Sequence, residues 1–420
     1  MNDVLREITK RSKSYEEADF LPTVFGEFRN EAVMGTLPVV LFGAGSAGKE
    51  LCPVLMLHGV NPVCFCDNNP SRRGELHGGL PVISLSELRQ NHKDSLIVVT
   101  TGAYRDEVKQ QLVDIGFDEE RILTISNQEA MCYYTHLAQW HWPEEDLLSH
   151  ENELLKVYNL LSDQKSREIF ASRMALFVHG ADYQSFRNFI ANLSDGRHTQ
   201  GTNFQEVRDS CVIEGDLQFN NDLIHLEDNE VLIDGRAFTG DSTLEFIKAC
   251  AKNKLTYRKI ICFEPDPKLF GELKENTAQY SNVALRRFGL WSHPATVRFA
   301  GSNILKAGAA RIVSEYDNND NLPGGTSGLT EVSTTSIDED CVDETITLIK
   351  MDIEGAEMEA LNGAKKTIAR SRPKLVISAY HKRNDLFEIP LQIHQTVPDY
   401  KLYFRHFSSN FGDTTLFAIP

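Results

Sequence analysis

The sequence predicts an α/β protein with two doubly wound parallel sheets joined by a helical connector. Apolar strand-like runs alternate with helical patterns over residues 37–126, and the alternation resumes after residue 230. Strands that alternate with helices favour parallel sheets with helices on their faces. Between these regions the apolar residues recur at helical spacing instead. A chain of 420 residues is long for a single core, so more than one domain is expected.

We divide the chain into four predicted segments. A polar, charged lead-in with helical character covers residues 1–35. The first α/β domain covers residues 36–126, the helical connector residues 127–229, and the second α/β domain residues 230–420. The second domain closes with two short β-rich runs around a turn that contains Gly and Asn, which predicts an antiparallel hairpin at the sheet edge. Residues 292–345 are predicted to be irregular.

Composition and charge limit the classes of partner. Sixty acidic residues against 43 basic ones give a net charge of −17, and such a surface repels phosphate backbones and anionic lipid. Neither a nucleic acid nor a membrane is therefore expected as a partner. The eight cysteines form no C-x-x-C pair, and the first residues lack the apolar segment of a signal peptide. A reduced, cytoplasmic protein is expected.

The strongest chemical pattern lies at predicted strand ends in the second domain. Small residues follow Asp234 in the run DGRAFTGD, directly before a helix, and allow a ligand to approach the backbone and the helix N-terminus. The next strand ends in FEPD with Glu264, the position that accepts hydrogen bonds from ribose hydroxyls in doubly wound folds. A third strand ends at Asp352 in IKMDIEGAE. The predicted cofactor-binding residues are Asp234, Gly235, Ala237, Gly240, Asp241, Glu264, Asp266 and Asp352.

Taken in order, these motifs resemble the FkbM-type S-adenosylmethionine-dependent methyltransferases. The resemblance runs from about Glu230 to Pro420 through LIDGRAFTGDST, ICFEPDPKLFGELKENT, TTSIDE, IKMDIEGAEMEALNGA, SAYHKRNDLFEIP and YFRHF…DTTLFAI. It implies a Rossmann-like methyltransferase sheet, S-adenosylmethionine as cofactor, and methyl transfer to a hydroxyl of a saccharide or small metabolite. The family usually has glycine where this chain has Arg236. This side chain points away from the cofactor, contacts its methionine carboxylate or impairs its binding, and the sequence leaves these alternatives open.

Methyl transfer to oxygen requires an aligned acceptor and removal of its proton. His381, at the end of the SAYH strand, is the predicted base because an unperturbed imidazole titrates near neutrality. Asp352 is the second predicted catalytic residue. Substrate contacts are predicted for Lys382, Arg405 and His406, since an arginine can bind a carboxylate or phosphate with two hydrogen bonds. No cluster has metal-ligand spacing. Asp352 with Glu354 offers two carboxylates to magnesium, but paired acids at a helix start are commoner without a metal, so no metal is expected.

The first domain carries a glycine-rich turn of its own in VVLFGAGSAG. Gly43, Gly45 and Gly48, with Asp67 closing the next strand, have the arrangement of a dinucleotide-binding fingerprint. A Rossmann-like domain that binds a nucleotide, a nucleotide-sugar or NAD is predicted, and a degenerate domain that only positions its neighbour is the alternative. No catalytic Tyr-x-x-x-Lys motif follows, so hydride chemistry is not supported.

Three functions are weighed on this basis. The leading hypothesis is an O-methyltransferase that acts on a small-molecule or saccharide acceptor. The second is an oxidoreductase or nucleotide-sugar enzyme driven by the first domain. The third is a nucleotide-binding protein in which Arg236 has inactivated the methyltransferase-like domain. The sequence carries no pattern that identifies the acceptor or the oligomeric state.

Overall fold

The computed structural model describes residues 25–57, 59–100, 104–124, 144–179, 218–219, 221–301, 311–313, 329–406 and 414–420. The chain divides into two compact units. The first comprises residues 1–149, 171–211 and 409–411, and the second comprises residues 150–170, 212–408 and 412–420. The predicted α/β fold class is confirmed, because each unit holds a largely parallel sheet accompanied by helices.

The first unit contains one six-stranded sheet. Its strands are β1 (Val39–Phe42), β2 (Pro62–Cys66), β3 (Leu76–His77), β4 (Leu80–Ile83), β5 (Leu96–Val99) and β6 (Ile122–Thr124). They lie in the order β3-β4-β2-β1-β5-β6. β3 pairs antiparallel with β4, and the other pairs are parallel. Every residue of β1 and β5 is buried, as expected for central strands of a parallel sheet.

Helices alternate with these strands as the sequence predicts. They are α1 (Arg29–Met34), α2 (Ser46–Leu57), α3 (Leu85–Asn91) and α4 (Arg105–Asp114), with 3-10 turns at Gly26–Phe28, Pro70–Arg72 and Glu119–Arg121. The start of α3 is fixed by reciprocal hydrogen bonds between Ser84 and Glu87, a capping box. Three more helices, α5 (Glu144–Ser149), α6 (Glu151–Leu160) and α7 (Gln164–His179), lie within the predicted connector. The segment boundaries stay predictions, and residues 1–24 of the lead-in lie outside the described residues.

The second unit contains a seven-stranded sheet and a four-stranded one. Its strands are β7 (Glu230–Gly235), β8 (Tyr257–Phe263), β9 (Val283–Arg286), β10 (Gly289–Leu290), β11 (Thr296–Ala300), β12 (Arg311–Ile312), β13 (Thr330–Thr335), β14 (Leu348–Met351), β15 (Lys374–Ser378), β16 (Lys401–His406) and β17 (Thr414–Ile419). The larger sheet has the order β16-β17-β15-β14-β7-β8-β9. Its strands are parallel from β9 to β15, and β17 and β16 add as antiparallel strands, as predicted.

The smaller sheet corrects the prediction that residues 292–345 are irregular. It has the order β10-β13-β11-β12, and Val297 and Phe299 of β11 pack with Val332 of β13. Two of its strands have two residues each. An alternation of apolar and polar residues over such short runs is too weak a signal to read from sequence.

The helices that follow β7 in the second unit are α8 (Asp241–Lys252), α9 (Pro267–Thr277), α10 (Ile337–Asp340), α11 (Glu357–Asn362), α12 (Lys365–Ser371) and α13 (Asp385–Thr396). The sequence sets the start of α9: Asp266 accepts hydrogen bonds from the N–H groups of Lys268 and Leu269, and Pro267 occupies the first helical position. α8 buries Phe246 and Ala249 in the core beside β8. None of the helices in the described ranges combines the length and the apolar character that crossing a bilayer requires.

Candidate functional site

The candidate site lies where the central strands of the larger sheet end. β7 pairs in parallel with β8 and β14, and the register places Gly235 beside Phe263 and beside the last residue of β14. The residues that come next in each strand, Arg236, Glu264 and Asp352, therefore lie at one edge of the sheet. This is the edge where ligands of doubly wound sheets bind.

Glu264 is a buried carboxylate at this edge, with 1% of its surface exposed. It accepts hydrogen bonds from the backbone N–H groups of Phe238 (3.0 Å) and Asp266 (2.9 Å). Burial raises the pKa of Glu264 to about 7, against the opposing effects of these hydrogen bonds and of the Arg236 charge. Glu264 therefore titrates near neutral pH. The carboxylate of Asp266 caps α9, and its predicted cofactor contact stays a prediction.

The turn after β7 has an unusual backbone. Arg236 and Phe238 have φ values of 58° and 52°, in the left-handed region that non-glycine residues rarely adopt, and Gly240 has a φ of 97°. The N–H of Ala237 donates to the carbonyl of Phe263 (2.9 Å), and the N–H of Gly240 donates to the carbonyl of Ala237 (2.7 Å). The turn is thus held by its own hydrogen bonds, which offset the cost of the left-handed residues.

Asp234 and Lys350 form a buried ion pair beneath this turn. Asp234 is 0% exposed and Lys350 is 5% exposed, and Lys350 Nζ lies 3.3 Å from the Asp234 carboxylate. That carboxylate also accepts hydrogen bonds of 2.7 Å from the hydroxyls of Ser242 and Thr243. Burial lowers the pKa of Lys350, but the neighbouring carboxylates, Asp234 first, outweigh it and hold the pKa above its usual value. The contacts of Asp234 are structural, and its predicted cofactor contact stays a prediction without support from this geometry.

A small cleft opens at the same edge. It is mostly apolar, with one acidic and two basic side chains. The lining residues are Arg236, Phe263, Glu264, Pro265, Phe288, Gly289, Leu290, Phe299, Arg311, Ile312, Ile353 and Ala356. An apolar cleft with a few polar groups is typical of a small-molecule site. Of the predicted cofactor-binding residues, Glu264 lines the cleft. Asp241 lies exposed at the start of α8.

Sequence reasoning missed one wall of this cleft. Leu290, Phe299, Arg311 and Ile312 come from the smaller sheet, in or next to the stretch that was predicted to be irregular. The alternating pattern of TVRFA in β11 is the signal that could have revealed this wall.

His381 lies among carboxylates just after β15. Its Nδ1 is 2.9 Å from Glu357, and its Nε2 is 3.4 Å from Asp352 and 3.6 Å from Glu354. Burial lowers the pKa of His381, but the three carboxylates, Glu357 first, outweigh it and raise the pKa to about 10. The imidazole is therefore protonated at neutral pH and cannot accept a proton from a substrate. The prediction of His381 as the base conflicts with this environment, because nearby negative charge favours the charged imidazolium.

The other predicted catalytic residue, Asp352, also belongs to this cluster. It accepts a hydrogen bond from the Tyr380 hydroxyl (3.1 Å). Burial raises its pKa, but the charges of His381 and Lys350 outweigh it and hold the pKa below the usual value. Asp352, Glu357 and His381 place potential metal-ligand atoms within 4.8 Å of one another. Ion pairing between the imidazolium and the acids accounts for this geometry, and the absence of a metal stays a prediction.

The predicted substrate residues lie in different surroundings. Lys382 is exposed beside Gly355, and His406 Nδ1 lies 2.8 Å from the Thr414 hydroxyl. Arg405 is 4% exposed and binds two carboxylates of its own unit, those of Asp163 (2.8 Å) and Asp222 (2.9 Å). These contacts give Arg405 a structural role. A substrate contact through it stays a prediction that the geometry does not support.

Replacing Arg405 with methionine is expected to lower the free energy of unfolding by about 1.5–3 kcal/mol, since hydrogen bonds to charged groups are lost. Methyl-transfer kinetics should stay unchanged. Urea denaturation and steady-state kinetics measure the two effects. Arg372→Met is the matched control, because the Arg372–Asp399 pair is exposed and should contribute less than about 1 kcal/mol. A raised KM with unchanged stability would restore the substrate role.

The glycine-rich turn of the first unit is held by Asp67. Its carboxylate accepts hydrogen bonds from the N–H groups of Ala44 and Asn69, both at 2.8 Å. Gly48 is required by packing, since an added Cβ would lie 2.0 Å from the carbonyl oxygen of Gly43. Local structure therefore explains Gly48 and Asp67, and nucleotide binding at Gly43, Gly45, Gly48 and Asp67 stays a prediction.

Comparison with known proteins identifies two regions. Residues 234–404 match the model of the methyltransferase FkbM domain, and residues 36–123 match that of the C2185-like N-terminal domain. No curated protein sequence matches the chain. A methyltransferase FkbM from Methylobacillus flagellatus KT is 19% identical, with 99% of each chain covered and a TM-score of 0.59, and shows a shared fold.

Two further solved structures resemble parts of the chain. UDP-D-quinovosamine 4-dehydrogenase from Vibrio fischeri is 20% identical and covers 23% of this chain and 82% of its own, with a TM-score of 0.20. Aeropyrum pernix fibrillarin with bound S-adenosyl-L-methionine is 10% identical and covers 47% of this chain and 70% of its own, with a TM-score of 0.27. The TM-scores of these two structures are too low to support an argument. The comparison therefore rests on the family model that matches residues 234–404. Residues 234–404 of this chain therefore contain a region that matches the methyltransferase FkbM domain.

Proposed function

We propose that the chain is an S-adenosylmethionine-dependent methyltransferase that methylates a hydroxyl group of a saccharide or small metabolite. The observation that carries the proposal is a buried carboxylate, Glu264, lining an apolar cleft at the carboxyl edge of the sheet. The methyltransferase FkbM domain supports methyl transfer. The net charge of −17 disfavours a nucleic-acid acceptor.

The cleft has polar and apolar side chains that suit the ribose, the adenine ring and the charged end of such a cofactor. In the proposed complex the Glu264 carboxylate accepts hydrogen bonds from the ribose hydroxyls. The aromatic and aliphatic side chains of Phe288, Leu290 and Phe299 line the same cleft and suit the flat face of an adenine ring. Arg236 lines the cleft at the start of the turn and offers a cation to a negatively charged group.

Methyl transfer to a hydroxyl needs a base that removes its proton. Glu264 is reserved for the ribose in this proposal, and we assign the base to one of the carboxylates that follow β14. When bound, the cofactor supplies an electrophilic methyl group on a sulfonium, whose sulfur keeps the electron pair as the new oxygen–carbon bond forms. His381 is already protonated at neutral pH. Burial raises the pKa of Glu354, whereas the pKa of Asp352 lies below its usual value. Glu354 is therefore the better proton acceptor of the two.

Calorimetric titration of the full chain tests this proposal. S-adenosylmethionine and S-adenosylhomocysteine are expected to bind, and NAD is expected not to compete with them. Methyl transfer would then be measured against a panel of sugars and hydroxylated metabolites. A chain that binds neither sulfur ligand would defeat the proposal, and NAD binding at the cleft of the second unit would favour the oxidoreductase alternative.

Replacing Glu264 with alanine is expected to weaken S-adenosylhomocysteine binding by about 1–3 kcal/mol, because a charge-assisted contact to the ribose is lost. The wild-type affinity should also fall as the pH is lowered through 7. The pKa of Glu264 is raised to about 7, so its ionised form, which accepts the hydroxyl hydrogens, decreases roughly tenfold per pH unit below that value.

Calorimetry at several pH values on either side of neutrality measures this dependence. Glu264→Gln is the control, since an amide does not titrate and should remove the dependence on pH. An unchanged affinity in Glu264→Ala would show that the ribose lies elsewhere.

A further inference from the structure

Arg236 and Glu354 form an ion pair at the edge of the cleft. Arg236 Nη1 lies 3.4 Å from Glu354 Oε1, and the two side chains are 13% and 18% exposed. The backbones of both residues lie in the left-handed region, with φ values of 58° and 54°. Two left-handed non-glycine residues that face each other carry a backbone cost. Such strain concentrates at functional positions.

Three backbone donors of the turn beside Arg236 are already used within the fold. The N–H groups of Ala237, Phe238 and Gly240 are already bound to Phe263, Glu264 and Ala237, respectively. The proposed cofactor ends in an amino acid, whose carboxylate is costly to bury in an apolar cleft without a cationic partner. Arg236 is a lining residue that can supply that cation, and a guanidinium binds carboxylates well.

We propose that, without cofactor, the Glu354 carboxylate binds the Arg236 guanidinium at the position that the cofactor carboxylate takes on binding. The two carboxylates then compete for one guanidinium. This inference rests on the proposed function. Binding of the cofactor then releases Glu354 from Arg236. The residue that replaces the usual glycine of the turn thus selects ligands that carry the amino-acid tail.

Competition predicts opposite effects for the two partners of the pair. Arg236→Gln should weaken binding of S-adenosylhomocysteine by about 10- to 100-fold, because hydrogen bonds to a charged group are lost. Glu354→Gln should tighten it by about two- to fivefold, because the negative charge of the internal competitor is removed. Support of the fold by the ion pair would instead make both substitutions weaken binding.

The experiment is calorimetric titration of the full-length wild type and both variants with two ligands. S-adenosylhomocysteine carries the amino-acid tail, and 5′-methylthioadenosine keeps the nucleoside and the thioether without it. Affinity for 5′-methylthioadenosine should stay within about twofold in both variants, a change smaller than one hydrogen bond contributes, which also shows that each variant is folded. Glu359→Gln, the same change on α11 away from the lining residues, should leave both affinities unchanged.

Two results would overturn the competition: weaker binding of S-adenosylhomocysteine by Glu354→Gln, or equal losses of both ligands in Arg236→Gln. If the wild type binds 5′-methylthioadenosine as tightly as S-adenosylhomocysteine, Arg236 does not recognise the tail, although the proposed function stands. A wild type that binds neither ligand would overturn the proposed function and this inference with it.

Discussion

Replacing Lys350 with methionine is expected to lower the free energy of unfolding of the chain by about 3–5 kcal/mol. The substitution leaves the Asp234 carboxylate, 0% exposed, without its cationic partner at 3.3 Å. The hydroxyls of Ser242 and Thr243 remain as hydrogen-bond donors but carry no compensating charge. Breaking a buried ion pair from one side is costly for this reason.

Urea denaturation followed by circular dichroism measures the effect. Lys259→Met is the matched control, since Lys259 pairs with Glu344 in a more exposed setting and should contribute less than about 1 kcal/mol. A similar decrease in the free energy of unfolding in both variants would show that burial of the Asp234–Lys350 pair does not increase its contribution to stability.

Replacing Glu354 with glutamine is expected to lower kcat for methyl transfer by about 100- to 10,000-fold, the usual contribution of a general base. The amide retains the size of the carboxylate side chain but does not accept a proton. The binding of S-adenosylhomocysteine should not weaken, which separates a defect in proton removal from a defect in cofactor binding.

Single-turnover kinetics with an identified acceptor measure the chemical step directly. Glu359→Gln again serves as the control for the loss of one negative charge on the same segment. If the rate of Glu354→Gln stays within about threefold of the wild type, an effect far below that of general-base catalysis, Asp352 becomes the better assignment for the base.

The sequence predicted the sheet and the acids at its edge because both signals are local. Runs such as EVLIDG and RKIICFEPD place Asp234 and Glu264 near strand ends, and this inference needs no information from distant residues. The parallel register then brings them to one edge. Glycine, proline and acidic residues at strand–helix junctions carry this information within a few positions.

Contacts distant in sequence were not predictable in this way. The sequence predicts a substrate contact for Arg405, but its partners Asp163 and Asp222 lie 242 and 183 positions away. The intrinsic pKa of an imidazole predicts a base at His381, yet three carboxylates near the start of α11 surround it. The charge state of a side chain depends on its neighbours in space, and a single sequence does not supply them.

The left-handed conformation of Arg236 has a consequence for engineering. Glycine adopts this conformation without steric penalty, so Arg236→Gly would relieve the backbone at the cost of the guanidinium. A library selected for thermostability alone would therefore favour glycine at this position. Selection for heat resistance and selection for discrimination among nucleosides would drive residue 236 in opposite directions.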